Sequence, residues 1–173
     1  MLISRETPDR IDAIRAVTAA AFSRGGPPDP TCVEAVLVDE LRASDGWLPA
    51  LSLVALTDTD EVIGHVVCTR AHVESTEVLG LGPLSVHPDH QRRGVGLALV
   101  HAVLGAADAL DEPLVVLLGD PRYYARFGFR LAEEYGIAPP VPRWRPNFQA
   151  RALHTFRGSI TGAFRYAEPF PVA

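Results

Sequence analysis

Between Leu84 and Leu99 an apolar strand-like run, Leu84-Ser85-Val86, passes through His87-Pro88-Asp89-His90-Gln91-Arg92-Arg93 into Gly94-Val95-Gly96-Leu97-Ala98-Leu99, the glycine-bearing start of an apolar helix. A strand feeding directly into such a helix calls for a layered α/β arrangement. The glycines leave backbone N–H groups open to an anion, the helix N-terminus adds partial positive charge, and Arg92 and Arg93 supply full charges beside it. The segment reads as an anion cradle of the kind a phosphate needs.

Two familiar phosphate loops do not fit these letters. A P-loop requires Gly-x-x-x-x-Gly-Lys-Ser/Thr, and this chain has no lysine: all 16 of its basic side chains are arginine. The absence matches coding bias in a GC-rich genome, and it also spares a group-transferring protein from modifying itself. A dinucleotide loop requires Gly-x-Gly-x-x-Gly, its third glycine admitting close helix packing. Gly94-x-Gly96 has Leu99 at that place, and Gly80-x-Gly82 has Ser85 with no helix start behind it.

Length and apolar content bound the architecture. The 173 residues, 47% hydrophobic, suffice for one well-filled core, so a single domain over residues 1–173 is expected. No run reaches the length of a membrane span and no leader pattern opens the chain, so a cytoplasmic protein without membrane partners is expected. Cys32 and Cys68 lack the spacing of a metal clamp or redox pair and read as reduced core thiols. A net charge of −5 argues against nucleic acid as the main partner.

Along the chain the periodicities predict a strand at Leu2–Arg5, a helix through Ile11, Ile14, Val17 and Phe22, and a second helix from Val33 to about Ser44. The breaker Gly25-Gly26-Pro27-Pro28-Asp29-Pro30 separates the two helices. Leu51–Leu56 and Val62–Cys68 read as a hairpin, followed by a strand from about Glu77 to Val86. Gly80, Gly82 and Pro83 interrupt that third strand and predict a bulge or a ligand's close approach. Gly94–Leu110 is apolar nearly all round and predicts a buried helix. Leu114–Leu118 has no alternation, as expected of a central strand covered on both faces. A short helix after Asp120, a proline-rich loop at 139–146 and closing strands at 148–153 and 160–166 complete the reading.

Gln91, Gly94 and Gly96 match in order the Gln/Arg-x-x-Gly-x-Gly/Ala signature of motif A of the GCN5-related N-acetyltransferase (GNAT) superfamily, which this chain resembles over essentially its whole length. Tyr123-Tyr124-Ala125-Arg126-Phe127-Gly128-Phe129 resembles the Tyr-x-x-x-Gly-Phe end of motif B. With Leu118-Gly119-Asp120-Pro121 before it, the wording looks like a bacterial subgroup, the YhbS-like predicted N-acetyltransferases. The resemblance implies the GNAT fold, a mixed and mostly antiparallel central sheet flanked by helices. It also implies acetyl-CoA as acyl donor, no metal, and a primary amine, small-molecule or peptide, as acceptor. By the same resemblance, Leu84, Ser85 and Val86 lie along the pantetheine arm. Gln91, Arg92, Arg93, Gly94, Val95, Gly96 and Leu97 surround the phosphates, and Tyr124 protonates the departing thiolate.

The chemistry behind these roles is general. An amine attacking a thioester expels a thiolate, which a neutral phenol within hydrogen-bond reach can protonate. Tyr124 holds the motif position, Tyr123 is its substitute, and Tyr124 as a packing residue is the plainer alternative. For the base, Glu77 stands at the start of the cofactor strand, where a solvated strand-end carboxylate would stand equally well. His65 and His72 are further candidates. Glu34, Asp39 and Glu40 on the second helix could form an acidic entrance for a cationic amine or simply a solvated face. Trp144, Phe148 and Phe156 could furnish a homodimer surface or belong to the core. A non-catalytic acyl-CoA-binding module on the same fold is the alternative function.

Overall fold

The computed structural model describes residues 1–23 and 25–171. Its elements are β1 (Leu2–Arg5), α1 (Ile11–Phe22), α2 (Val33–Arg42), β2 (Ser52–Leu56), β3 (Val62–Val73), β4 (Thr76–Val86) and α3 (Val95–Ala109). Then follow β5 (Leu114–Leu118), α4 (Pro121–Tyr124), β6 (Arg130–Leu131), β7 (Ile137–Ala138), β8 (Phe148–Ala152) and β9 (Gly162–Arg165). The sheet runs β1-β2-β3-β4-β5-β8-β6, antiparallel except where β4 meets β5. It is the mixed, mostly antiparallel sheet expected from the sequence.

Alternation along the strands separates the two faces. Leu53, Ala55, Val66, Cys68, Leu79, Leu81, Val115 and Leu117 pack under α3 through Val95, Leu99, Val100, Val103 and Leu104. The intervening Val54 and Leu56 pack under Ile14 and Val17 of α1 and Val38 of α2. Val78, Leu114 and Val116, also on that second face, meet Phe148, Phe164 and Ile137 from the C-terminal third. Leu114, Val115 and Val116 are fully buried, as an unalternating central strand requires. No described helix is long and apolar enough to cross a membrane.

Three expectations change in detail. α3 buries one face only: Leu97 and Leu110 are exposed, and small residues carry the outer side. β3 runs on to Val73, because its far half has β4 on one edge and β9 on the other, through His72↔Arg165 and Val73↔Phe164. The last strand therefore does not close beside β8; it returns to β3 and lays Tyr166 across the sheet. Of the aromatics considered for a dimer surface, Phe148 is core, while Trp144 and Phe156 pack partly buried against that same cluster.

Beneath α2 lies a buried polar network. Glu6 accepts from Arg42 Nε at 2.5 Å and from Ser52 Oγ at 2.5 Å, and Ser52 Oγ lies 2.9 Å from His65 Nε2. His65 is fully buried. Burial pushes its pKa down, against the pull of Glu6, so the ring is neutral at pH 7. Burial pushes the Glu6 carboxyl up, but hydrogen bonds from His65, Arg42 and Ser52 and the Arg42 charge outweigh it and bring the pKa down to about 2. The network ties α2 to β2 and β3. It leaves His65, one of the candidate bases, sealed from any substrate.

Candidate functional site

β4 and β5 pair at only two positions, Leu79↔Val115 and Gly80↔Val116. Beyond them two residues of β4, Gly82 and Pro83, face the single Val67 of β3, the bulge that the strand's breakers predict. β5 meanwhile continues to Leu118 in register with β8. The two parallel strands diverge and leave a gap whose edges carry backbone groups free of a sheet partner. Such a gap at the carboxyl ends of parallel strands is where open α/β sheets bind ligands.

On the α3 side of this gap lies the turn whose sequence reads as an anion cradle. Gly94 takes φ +85° as the residue before the helix, and Arg92 takes φ +58°, an uncommon conformation for a side-chain-bearing residue. The amide of Ala98 is bonded to Gly94 O at 2.9 Å. The amides before it lie in the first turn, where a helix supplies no partner. Neither Arg92 nor Arg93 has an acidic partner among the described residues, and both are exposed. Gln91 and Ser85 turn out to brace this turn with their side chains. Gln91 Nε2 donates to Val86 O at 3.0 Å, and buried Ser85 lies 3.1 Å from Thr18 Oγ1 of α1. Leu84 and Val86 pack on the α3 side.

The two tyrosines of the short helix part company. The Tyr123 hydroxyl lies over α3, so that a Cβ built on Gly96 would stand 2.8 Å from it. The Tyr124 ring lies over Gly119, where a Cβ would overlap it. Tyr124 packs edge-on to Phe129 at 5.7 Å within the α3-side cluster, yet borders a cavity of about 520 Å³ on the opposite face. It thus stands in the gap itself. Burial raises its pKa, so the phenol keeps its proton at neutral pH.

The cavity is bounded by Leu81–Leu84 and Leu118 below, by Phe22, Val33, Glu34 and Leu37 of α1 and α2 on one side, and by Trp144, Tyr166 and Phe170 on the other. Tyr166 seats its ring over Gly80, where a Cβ would stand 2.8 Å away, and stacks on Phe170 at 4.3 Å. No sequence signal pointed to Tyr166 or Phe170; only the return of β9 to β3 brings them here.

Glu77 is not brought to this site. It lies five residues before the bulge, about 16 Å along the strand, on the α3 face. Its carboxylate is 68% exposed and 3.9 Å from Arg70 Nε, whose other nitrogens hold Glu112 at 2.6 and 2.7 Å. The strand's alternation sets Glu77 on the side of Leu79, and it does not line the cavity. His72 borders a different cavity, with Arg70. Asp39 is occupied by Arg15 and Arg42, so of the three helix acids only Glu34 borders the gap. Cys68 is fully buried, and burial pushes its thiol pKa up. Among the described residues no three side chains gather as metal ligands.

This geometry has close relatives. A family model of the acetyltransferase (GNAT) domain matches residues 49–131. The chain is 33% identical over 173 residues to the N-acetyltransferase YhbS of Escherichia coli K12, covering 98% of each. The crystal structure of Escherichia coli YhbS in complex with CoA superposes with a TM-score of 0.83 at 30% identity, covering 97% of this chain and 90% of that one. A GNAT family acetyltransferase from Brucella melitensis in complex with acetyl-CoA gives 0.78 at 32% identity, covering 98% and 97%.

Proposed function

The chain belongs to the GNAT family of N-acetyltransferases, and from that premise we propose that it moves the acetyl group of acetyl-CoA to a primary amine by direct attack, with Tyr124 as proton donor. Bound acetyl-CoA supplies an activated thioester. The cradle fits its diphosphate: first-turn amides without helix partners, a left-handed Gly94, and two unpaired guanidiniums. Arg92 to Leu97 would hold the phosphates through backbone amides and the arginine heads. Leu84 and Val86 would present backbone groups of the diverging strand to the pantetheine arm.

The observation that carries the reading is the place of Tyr124, in the gap between an anion cradle on one face and a cavity on the other. A donor held at α3 and an acceptor held between α2 and Tyr166 meet there. Once an acceptor ammonium has given one proton to water, the C–N bond forms as the C–S bond breaks, and Tyr124 gives its phenol proton to the sulfur and regains one from the amine nitrogen. Burial keeps that proton on the phenol until it is needed.

Acetyl-CoA should raise the melting temperature as its concentration passes the dissociation constant, and an amine should be converted to its acetamide with release of free CoA. Stabilisation without acetamide from any amine would assign the chain to acyl-CoA binding alone. No stabilisation by acetyl-CoA would overturn the donor assignment.

A further inference from the structure

Resting on that reading, we infer that the acceptor is a monoamine carried on an apolar body, an arylalkyl or alkyl amine, with its single ammonium group set against Glu34. The acceptor side of the cavity is hydrocarbon and aromatic ring: Phe22, Val33 and Leu37 face Trp144, Tyr166 and Phe170. Two further apolar residues of its lining reach solvent, Val33 at 64% and Leu118 at 41% exposed.

Among the described residues, three polar side chains besides the Trp144 indole border this space. Tyr166 has its hydroxyl against the backbone of Leu118 and its ring clamped between Gly80 and Phe170. Tyr124 stands in the gap. Glu34, half-buried in the first turn of α2, is the only carboxylate among the described lining residues. It has no hydrogen bond or ion pair there, whereas Asp39, further along the same helix, is held by two arginines.

One carboxylate balances one ammonium. Each further charge of a polyamine or aminoglycoside would rest on hydrocarbon without a counter-ion. The Trp144 ring suits a flat or alkyl body and can share a single cationic head. Glu40, Asp45 and Glu168 do surround another cavity that Tyr166 also borders. A polyamine using them would have to reach Tyr124 past the clamped Tyr166 ring.

The test is a comparison of kcat/KM with saturating acetyl-CoA for 2-phenylethylamine, hexylamine, spermidine and kanamycin. The two apolar amines should exceed the two polycations by at least about tenfold, the worth of one unmatched charge. Glu34→Gln should raise KM for 2-phenylethylamine about tenfold and leave KM for acetyl-CoA unchanged. Preferential acetylation of spermidine or kanamycin would overturn the inference while leaving acetyl transfer intact. An unchanged amine KM in Glu34→Gln would overturn the role of Glu34. No acetamide from any of the four, with acetyl-CoA still stabilising the protein, would overturn this inference and leave the acetyl-CoA site standing.

Discussion

The two sides of the gap between β4 and β5 are built from different materials. The α3 side is made of backbone: amides of one helix turn, one left-handed glycine, and a strand that has lost its neighbour. It comes from one continuous stretch, Leu84 to Leu97. The opposite side is made of side chains, from α1, α2, the 142–147 turn and the segment after β9, brought together only by the complete fold. A backbone site recognises a group that does not change, such as a diphosphate, and tolerates substitution around it. A side-chain site can be altered one residue at a time, and selectivity therefore belongs there.

If the two sides are separable, substitutions should divide between them. The largest effect is expected at the gap: Gly119→Val places branched carbon inside the space of the Tyr124 ring and should lower kcat by about a hundredfold or more, with the melting shift caused by acetyl-CoA retained. Next comes the anchor of α2, one wall of the cavity. Because α2 is tied to the sheet through Arg42 and Glu6, Glu6→Gln should destabilise the fold by about 3 kcal/mol in urea denaturation. The same network gives an acid dependence. With a folded pKa of about 2 against an ordinary 4.5, the Glu6 contribution is complete above about pH 4.5 and is lost as pH falls towards 2.

On the cradle side, Arg92→Ala and Arg93→Ala should each weaken CoA binding about tenfold at low salt, less at high salt, and leave kcat at saturating donor unchanged. Gly94→Ala should have the smallest effect on stability, about 1 kcal/mol for an alanine at φ +85°. A loss of amine selectivity in the arginine variants would break the division between the two sides.

The same division explains what was legible beforehand. Cradle, bulge and central strand are local: Gly94 with its neighbours, the Gly82-Pro83 interruption and the unalternating Leu114–Leu118 each carry their consequence within a few residues. The position of Tyr124 could be read because its motif follows β5 directly. The far wall of the cavity could not, since Tyr166 and Phe170 reach the gap only through β9 pairing with the unexpected extension of β3. Glu77 shows the complementary limit. It lies on the expected strand, but alternation and five residues of distance set it beside Arg70. Glu34, in sequence one of three acids on a helix, stands apart in the fold because Asp39 is occupied and Glu40 borders another cavity.

Tyr124→Phe removes one oxygen from the point where the two sides meet. With acetyl-CoA and 2-phenylethylamine both saturating, kcat should fall by about a hundredfold or more while the acetyl-CoA melting shift stays as it was, and Tyr123→Phe should leave kcat near its original value. A Tyr124→Phe protein that turns over within about twofold of the unaltered chain, well short of what loss of a general acid costs, would contradict the account.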